Sequence, residues 1–182
     1  MDIRPGKIPD ILLISPDVFV DERGYFMETY NQRRFHANGI QAEFVQDSHS
    51  KSRRFTLRGL HYQIKQPQGK LVRVVVGEVF DVGVDLRRSS PTFGQWEGCV
   101  LSAENKIQAW IPPGFAHGFY VTSEWAEVVY KSTDLYAPEF ERTLLWSDPD
   151  IGINWPLIEG RVPLVSKKDA QGKPFRDAEA YE

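Results

Sequence analysis

The 182-residue sequence contains little cysteine, little excess charge and no long apolar run. The single cysteine, Cys99, cannot form an intramolecular disulfide, and its apolar surroundings favour a small buried core residue over a nucleophile. A formal net charge of −3 disfavours a dedicated nucleic-acid binder, which usually carries a strong basic excess. No apolar run approaches the roughly 20 residues of a membrane helix, and the charged, proline-bearing start MDIRPGKIPD lacks the apolar region of a signal peptide. We therefore expect a cytoplasmic protein that binds neither nucleic acid nor a membrane.

What the sequence does contain is a series of short apolar or alternating runs separated by glycine and proline. Strand-forming runs spaced by about 8 to 12 residues are typical of an all-β sandwich or barrel. The runs are ILLI, DVFV, YFMETY, AEFVQ, LRGLHYQ, LVRVVV, EVFDVGVDL, QWEGCVLS, KIQAWIP, HGFYVT and AEVVYKST. We predict one all-β domain over residues 1–182, folded as a closed or nearly closed barrel whose interior can hold one small ligand.

Local signals place the turns and one helix. In RVVVGEVFDV, Gly77–Glu78 predicts a tight hairpin turn. Pro112-Pro113-Gly114 predicts a rigid turn just before His117. NQRRFHANG predicts one short helix, with Asn31 as its N-cap and Gly39 just beyond its end.

The two histidines near these turns resemble part of the metal site of cupin-type jelly rolls. In that layout a His-x-His pair, a later glutamate and a histidine after a P-x-G turn converge on one metal ion. Here His61 begins the first motif and His117 follows the turn. Gln63, however, replaces the second histidine, and Pro67-Gln68 stand where the glutamate is expected. Transition-metal sites generally need three or four convergent protein ligands, so we predict no metal.

An acid–base site is the other interpretation of LRGLHYQ. His61 shares its strand with Arg58 and Gly59, and Lys70 opens the next strand after the IKQPQG loop. We expect the two strands to pair as neighbours, with Gly59 and His61 on one face and Arg58 on the other. A histidine base is commonly oriented by a carboxylate on its other ring nitrogen, and VSKKD supplies Asp169. A lone histidine is otherwise a satisfied core or surface residue, and that alternative stays open on these residues alone.

Taken in order, the motifs of the chain resemble the dTDP-4-dehydrorhamnose 3,5-epimerase family. The resemblance runs from about Ile3 to Phe175 and rests on DERGYFMETY, FVQDSHS, LRGLHYQ, PQGKLVRVVVGEVFDVGVDLR, IPPGFAHGF, YKSTDLYAPEFE, WSDPDIGINWP and SKKD. It implies a metal-free, cupin-type jelly-roll β-barrel with a few short peripheral helices. It also implies an isomerase of dTDP-L-rhamnose biosynthesis that converts dTDP-4-dehydro-6-deoxy-D-glucose to dTDP-4-dehydro-L-rhamnose. The implied enzyme uses no cofactor and is a homodimer whose N-terminal segments reach the partner's site.

The resemblance implies a role for each matching position. His61 would be the general base and Asp169 the partner that orients it. Tyr130 would be the acid on the opposite face of the sugar, and Lys70 would stabilise the enolate oxygen at C4. The implied diphosphate contacts are Arg23, Arg58, His117 and Lys168. The implied nucleotide contacts are Glu28, Gln46, Asp47 and Ser48, with Phe19 and Phe26 as stacking neighbours, and Glu141 matches a further substrate position.

Some points stay open at the level of sequence. Ser48 stands where the family often has asparagine, and a hydroxyl offers one donor where an amide offers two. The alternatives are a mono-epimerase acting at C3 or C5 alone, a non-catalytic sugar-nucleotide-binding cupin, and a metal-dependent cupin oxygenase. The joint presence of His61, Tyr130 and Asp169 counts against the second, and Gln63 counts against the third.

Overall fold

Strands form most of the computed structural model, which describes residues 1–182. The strands are β1 (Asp2–Pro5), β2 (Leu12–Ser15), β3 (Val18–Asp21), β4 (Gly24–Met27), β5 (Gln46–Arg53), β6 (Leu57–Gln63), β7 (Lys70–Val76), β8 (Glu78–Asp85), β9 (Trp96–Ser102), β10 (Gln108–Ile111), β11 (Phe115–Val121), β12 (Trp125–Ser132) and β13 (Glu141–Thr143). The helical elements are α1 (Gln32–Ala37), α2 (Lys167–Ala170) and single 3-10 turns at Pro138–Phe140, Ile158–Gly160 and Phe175–Asp177. None of these helices combines the length and the apolar character needed to cross a bilayer.

Two antiparallel sheets face each other. One has six strands in the order β1-β2-β10-β7-β12-β5, and the other has five in the order β13-β6-β11-β8-β9. The strands β3 and β4 form a separate two-stranded sheet. The all-β prediction is confirmed. Hydrogen bonds do not join the two large sheets into one continuous barrel. The expected barrel is therefore not closed, and the two sheets pack face to face instead.

The largest apolar core lies between the two sheets. Val72, Val74 and Val128 come from the six-stranded sheet, and Val79 and Phe119 come from the five-stranded sheet. Because alternate side chains of a strand point to opposite faces, the alternating runs turn one apolar row of each strand inward. Each such buried side chain contributes roughly 1.5–3 kcal/mol relative to an exposed one. This core holds the inner faces of β7, β8, β10, β11 and β12 in fixed positions.

The predicted hairpin at Gly77–Glu78 is wrong. β7 pairs with β10 and β12, whereas β8 pairs with β9 and β11, so Gly77 carries the chain from one sheet to the other. Gly77 has a φ of +73°, and a Cβ there would lie 1.9 Å from the Trp125 carbonyl oxygen. Glycine suits a tight turn and a sheet-to-sheet corner equally well. The local sequence therefore does not distinguish a hairpin turn from a corner between sheets.

Most of the other predicted strands are confirmed. The main exception is AEFVQ. Only its last residue, Gln46, belongs to β5, and residues 42–45 have no regular structure. Phe44 instead packs edge-on against Tyr30 and Trp110, with ring centroids 5.1 and 5.9 Å apart. The edge strands β1 and β13 were not predicted, since neither carries an apolar run. β1 pairs with β2, and β13 pairs with β6.

The predicted helix is confirmed as α1. The side chain of Asn31 caps it by accepting a hydrogen bond from the Arg34 amide, 3.2 Å away, and Gly39 follows with a φ of +88°. The sequence did not predict α2, a single turn capped by the Ser166 hydroxyl. This turn matters for the site because it carries Asp169.

Candidate active site

A β-bulge sets the direction of the key histidine. Along the pair β6–β11, Arg58 lies opposite Phe119 while His61 lies opposite His117, so β6 has one residue more than β11 in this interval. An extra residue changes the parity of the alternation. Arg58 and His61 consequently both line a cavity of about 400 Å³ that Lys168 and Asp169 also line, and both line the smaller cavity of about 150 Å³ described below. This corrects the prediction that they face opposite sides.

His61 forms a dyad with Asp169. Its Nε2 lies 2.6 Å from Asp169 Oδ1, and the aspartate is 3% exposed. The Ser166 hydroxyl accepts a hydrogen bond from the Asp169 amide, and the Gly59 amide donates to Asp169 Oδ2 at 3.4 Å. Burial works to raise the pKa of Asp169, but the hydrogen bond and positive charge of His61, together with the Gly59 amide, outweigh it and lower that pKa. The carboxylate is therefore ionised and holds the imidazole in one orientation.

Lys70 and Tyr130 reach the dyad from the facing sheet. The predicted pairing of the strands that carry His61 and Lys70 is wrong, because β6 and β7 belong to different sheets. With Gln46 and Ser48 of β5, these side chains line one cavity of about 310 Å³. The site thus lies between the sheets, with the dyad on one wall and Lys70 and Tyr130 on the other.

The half-buried side chain of Lys70 lies beside aromatic and charged neighbours. Burial lowers the pKa of Lys70 to about 8, although the negative charges of Asp81 and Glu141 work against that fall. Its Nζ lies 5.9 Å from the centre of the Tyr130 ring. Below pH 8 Lys70 is mostly a cation, and it has few competing partners for an anion that enters the cavity.

Glu141 links two further groups at the same cavity. Its Oε1 lies 2.7 Å from Lys168 Nζ, and its Oε2 accepts a 2.8 Å hydrogen bond from the Tyr136 hydroxyl. Burial raises the pKa of Glu141, but these two partners outweigh it and lower that pKa. Tyr136 lines the cavity and is missing from the predicted set. The only sequence signal for it is an aromatic residue in the otherwise polar STDLYAPE segment.

Gln63 has a structural role in this chain. Its amide nitrogen donates to the carbonyls of Gln66 and Leu135, and its amide oxygen accepts from the Ala137 amide. Gln63 therefore joins two loops beside the cavity. No group of three or more His, Cys, Asp and Glu side chains is arranged to hold a metal ion.

A smaller cavity of about 150 Å³ adjoins the 310 Å³ cavity. Arg58 and His117 line it together with His61, Lys70 and Tyr130. The Arg58 Nε donates to the Ser52 hydroxyl at 2.9 Å and its Nη2 donates to the Lys51 carbonyl at 3.4 Å, which leaves Nη1 without a partner in the chain. Guanidinium and imidazole groups of this kind suit a phosphate ligand.

Not every predicted contact lies near this site. Asp47 is on the opposite face of β5 from Ser48 and pairs with Lys131 at 3.0 Å, as strand alternation requires. Arg23 pairs with Asp21 at the tip of the β3–β4 hairpin. The remaining predicted contacts outside the cavity are Phe19 and Phe26, which are 65% and 71% exposed on that hairpin, and Glu28, which pairs with Arg34. Their assigned roles stay predictions.

Comparison with known proteins agrees with this geometry. A sequence model described as dTDP-4-dehydrorhamnose 3,5-epimerase matches residues 5–177. A dTDP-4-dehydrorhamnose 3,5-epimerase of Pseudomonas aeruginosa is 62% identical over 96% of this chain and 96% of its own length. One of Shigella flexneri is 57% identical over 100% of this chain and 99% of its own.

Among solved structures, the chain is similar to a dTDP-6-deoxy-D-glucose-3,5-epimerase from Legionella pneumophila in complex with dTDP-4-keto-L-rhamnose. The TM-score is 0.94 and the sequence identity is 50%, over 98% of this chain and 94% of that one. These similarities confirm the cupin-type all-β fold. Because they extend over nearly the whole chain, this protein belongs to the dTDP-4-dehydrorhamnose 3,5-epimerase family.

Proposed function

We propose that this protein is an epimerase that converts dTDP-4-dehydro-6-deoxy-D-glucose to dTDP-4-dehydro-L-rhamnose. The observation that carries the proposal is the His61–Asp169 dyad, held at 2.6 Å and facing Lys70 and Tyr130 across one cavity. Family membership supports the same activity.

His61 acts as the general base. Its Nε2 hydrogen donates to Asp169, which leaves the lone pair of Nδ1 free to remove a proton from C3 or C5 of the sugar. Asp169 fixes this tautomer and stabilises the imidazolium that forms, as the carboxylate does in other histidine dyads. A positioned base of this kind contributes roughly 10²–10⁴-fold to the rate.

Lys70 and Tyr130 complete the proton transfers. C3 and C5 both flank the C4 ketone, so loss of either proton gives an enolate whose negative charge lies on the C4 oxygen. A preorganised cation at that oxygen is worth on the order of 3 kcal/mol, as oxyanion donors are, and Lys70 is the cation that lines the cavity. Tyr130 then donates its hydroxyl proton to the opposite face of the carbon, and that carbon is inverted. Only protons move, so the reaction requires no redox cofactor.

The remaining cavity residues bind the rest of the substrate. Arg58, His117 and Lys168 contact the diphosphate, while Gln46 and Ser48 contact the nucleotide. Their positions around the three adjoining cavities support these assignments. Glu141 holds Lys168 and Tyr136 at the rim of the sugar site.

The active unit is a homodimer in which the β3–β4 hairpin of one chain enters the site of the other. In a single chain Phe19 and Phe26 are mostly exposed, and an isolated two-stranded hairpin is marginally stable in water. Insertion into a second copy would bury these rings and bring Arg23 to the diphosphate. This arrangement accounts for Phe19, Arg23 and Phe26, the predicted contacts on the hairpin that lie away from the cavity of their own chain.

The test is NMR of the reaction in D₂O with dTDP-4-dehydro-6-deoxy-D-glucose, with a sample lacking protein to measure spontaneous exchange. We expect deuterium at both C3 and C5 and the appearance of dTDP-4-dehydro-L-rhamnose. Label at one carbon alone would identify a mono-epimerase and refute the double reaction. Exchange no faster than in the sample without protein would refute epimerase function altogether.

A further inference from the structure

Asp81 is a buried carboxylate behind the wall of the active site. It lies on β8, opposite Phe119 of the neighbouring strand β11, and it is 1% exposed. Its Oδ2 lies 2.8 Å from Nε2 of His117, which is itself 6% exposed. The chain therefore contains a second histidine–aspartate pair, in which His117 borders the cavity and Asp81 does not.

The other carboxylate oxygen of Asp81 has no hydrogen-bond partner, although it is fully buried. A buried carboxylate normally accepts several hydrogen bonds, because an uncompensated charge in the interior costs several kcal/mol. Packing alone would be better served by an apolar side chain on this inner face, beside Val79 and Phe119 of the core. What compensates Asp81 is the hydrogen bond to His117 on its own sheet and the positive charge of Lys70 on the facing one.

Lys70 and His117 line the same cavity of about 150 Å³. We propose that Asp81 is a positioning residue whose single buried charge orients the His117 ring and keeps Lys70 cationic, so that the ring and the ammonium group both face the substrate. The assignment rests on the proposed function, since it gives Asp81 a purpose only if an anion forms or binds in this cavity. Asp81 itself does not contact the substrate.

Several charged groups face Lys70, and their effects differ. Among the carboxylates, Asp81 raises the pKa of Lys70 more than Glu141 does, and Lys168 lowers it. Tyr130 and His61 share its cavity. On the other side of Asp81, burial raises the pKa of Cys99, and Asp81 and Glu97 raise it further, so that thiol stays neutral. Asp81 is thus the main carboxylate that keeps Lys70 protonated.

The variant Asp81→Asn tests the proposal, because the amide has nearly the volume of the carboxylate but no charge. Removing one nearby opposite charge lowers the pKa of a lysine by about one unit or more. For a group that titrates near pH 8, a shift of about one unit lowers kcat about fivefold at pH 8, about twofold at pH 7 and hardly at pH 6. A general packing defect would lower kcat by the same factor at each pH.

The matched control is Asp148→Asn, which also removes a buried aspartate. Asp148 is 3% exposed and accepts amide hydrogen bonds from Asp150, Ile151 and Phe175, away from the cavity. We expect this variant to be less stable, with an unchanged pH dependence of kcat. An Asp81→Asn profile parallel to that of the wild type would overturn the proposal.

Two NMR measurements report on Lys70 and His117 directly and do not depend on enzymatic activity. With ¹³C-labelled lysine, and Lys70→Met to assign the signal, we expect the Lys70 titration to move to lower pH in Asp81→Asn; an unmoved titration would refute the role. In the wild type, ¹⁵N spectra should show His117 Nε2 protonated from about pH 6 to 9, as its bond to Asp81 requires. An unprotonated Nε2 would refute the orientation even if the variant failed to fold. If the wild type shows these signals but no epimerisation, the proposed function is wrong and the placement of Asp81 stands.

Discussion

At the scale of single residues, the orientation of the His61 ring carries the chemistry. The short contact between His61 Nε2 and a buried, ionised Asp169 leaves Nδ1 as the nitrogen that can accept a proton. Because Asp169 lies on a short capped turn, the ring has little freedom to swing away from the cavity. In the proposed mechanism, the dyad therefore makes this strand histidine a base with a fixed direction.

The variant His61→Asn should separate binding from chemistry. Asparagine keeps a polar side chain near Asp169 but cannot act as a base, so we expect exchange at C3 and C5 to fall by roughly 10²–10⁴-fold. Binding of dTDP, measured by calorimetry, should change little, because the nucleotide contacts lie elsewhere in the cavity. Solvent exchange at the wild-type rate would remove His61 from its assigned role.

Tyr130→Phe should affect the return of the proton more than its removal. The ring still packs beside Lys70, but the hydroxyl that donates to the opposite face is gone. We expect deuterium exchange with retained configuration to continue, while inverted product falls by roughly 10²-fold or more. The measurement is the ratio of exchange to epimerised product by NMR. An unchanged ratio would show that another group is the acid.

At the scale of the elements, the bulge between β6 and β11 determines which side chains share the cavity. Two glycines allow the strands to approach at this point: a Cβ on Gly118 would lie 2.5 Å from the Arg58 carbonyl oxygen, and one on Gly59 would lie 2.7 Å from the His117 carbonyl oxygen. Without the extra residue, Arg58 and His61 would point to opposite faces. The bulge thus places Arg58 and His61, the proposed phosphate contact and the proposed base, on one side.

Gly118→Ala should therefore reduce activity by displacing β6. The added methyl group would collide with the β6 backbone, and overpacking of this kind costs about 1–3 kcal/mol of the free energy of unfolding. A displacement of the base by about 1 Å lowers kcat by as much as about 10²-fold. Thermal unfolding and kcat measured on the same sample separate the two effects.

Gly39→Ala is the control for this variant. Gly39 has a φ of +88° and open space around it, beyond the end of α1. Alanine there costs about 1 kcal/mol of stability through its backbone conformation and leaves the β6–β11 contact unchanged. If both variants lost activity only in proportion to stability, the bulge would not be what positions His61.

At the scale of the whole molecule, the site lies between two sheets, and the β3–β4 hairpin extends away from it. This arrangement makes the hairpin available to a second chain. A hybrid dimer tests it: one chain carries His61→Asn, and the other carries Arg23→Ala with Phe26→Ala. Each chain has its own affinity tag, and purification through both tags isolates the hybrid.

In a dimer with exchanged hairpins, both lesions fall in one site and the other site is intact. The hybrid should therefore have about half the wild-type activity per dimer, as two-fold symmetry with one working site requires, while each parent variant has little. If every site were built from one chain, the hybrid would show only the average of the two weak parents. A chain that is monomeric by light scattering would also contradict the exchange.

The sequence alone determined the local features of this protein. Alternating apolar runs marked most strands, Asn31 and Gly39 delimited α1, and the ordered motifs indicated the family and the residues of the dyad. These features depend on neighbours within a few residues, through strand alternation, side-chain capping and turn conformation. A local pattern is sufficient to predict them.

Only the tertiary structure decided which strands pair and which side chains meet. The alternation of apolar and polar residues along a strand shows which of its faces is apolar. It does not identify the strand with which that strand pairs. Gly77 was equally compatible with a hairpin and with a corner between sheets, and the extra residue after Arg58 became visible only in the register against β11. The encounter of His61 with Lys70 and Tyr130 follows from those long-range pairings, because hydrogen bonds between strands distant in sequence place the two walls of the cavity face to face.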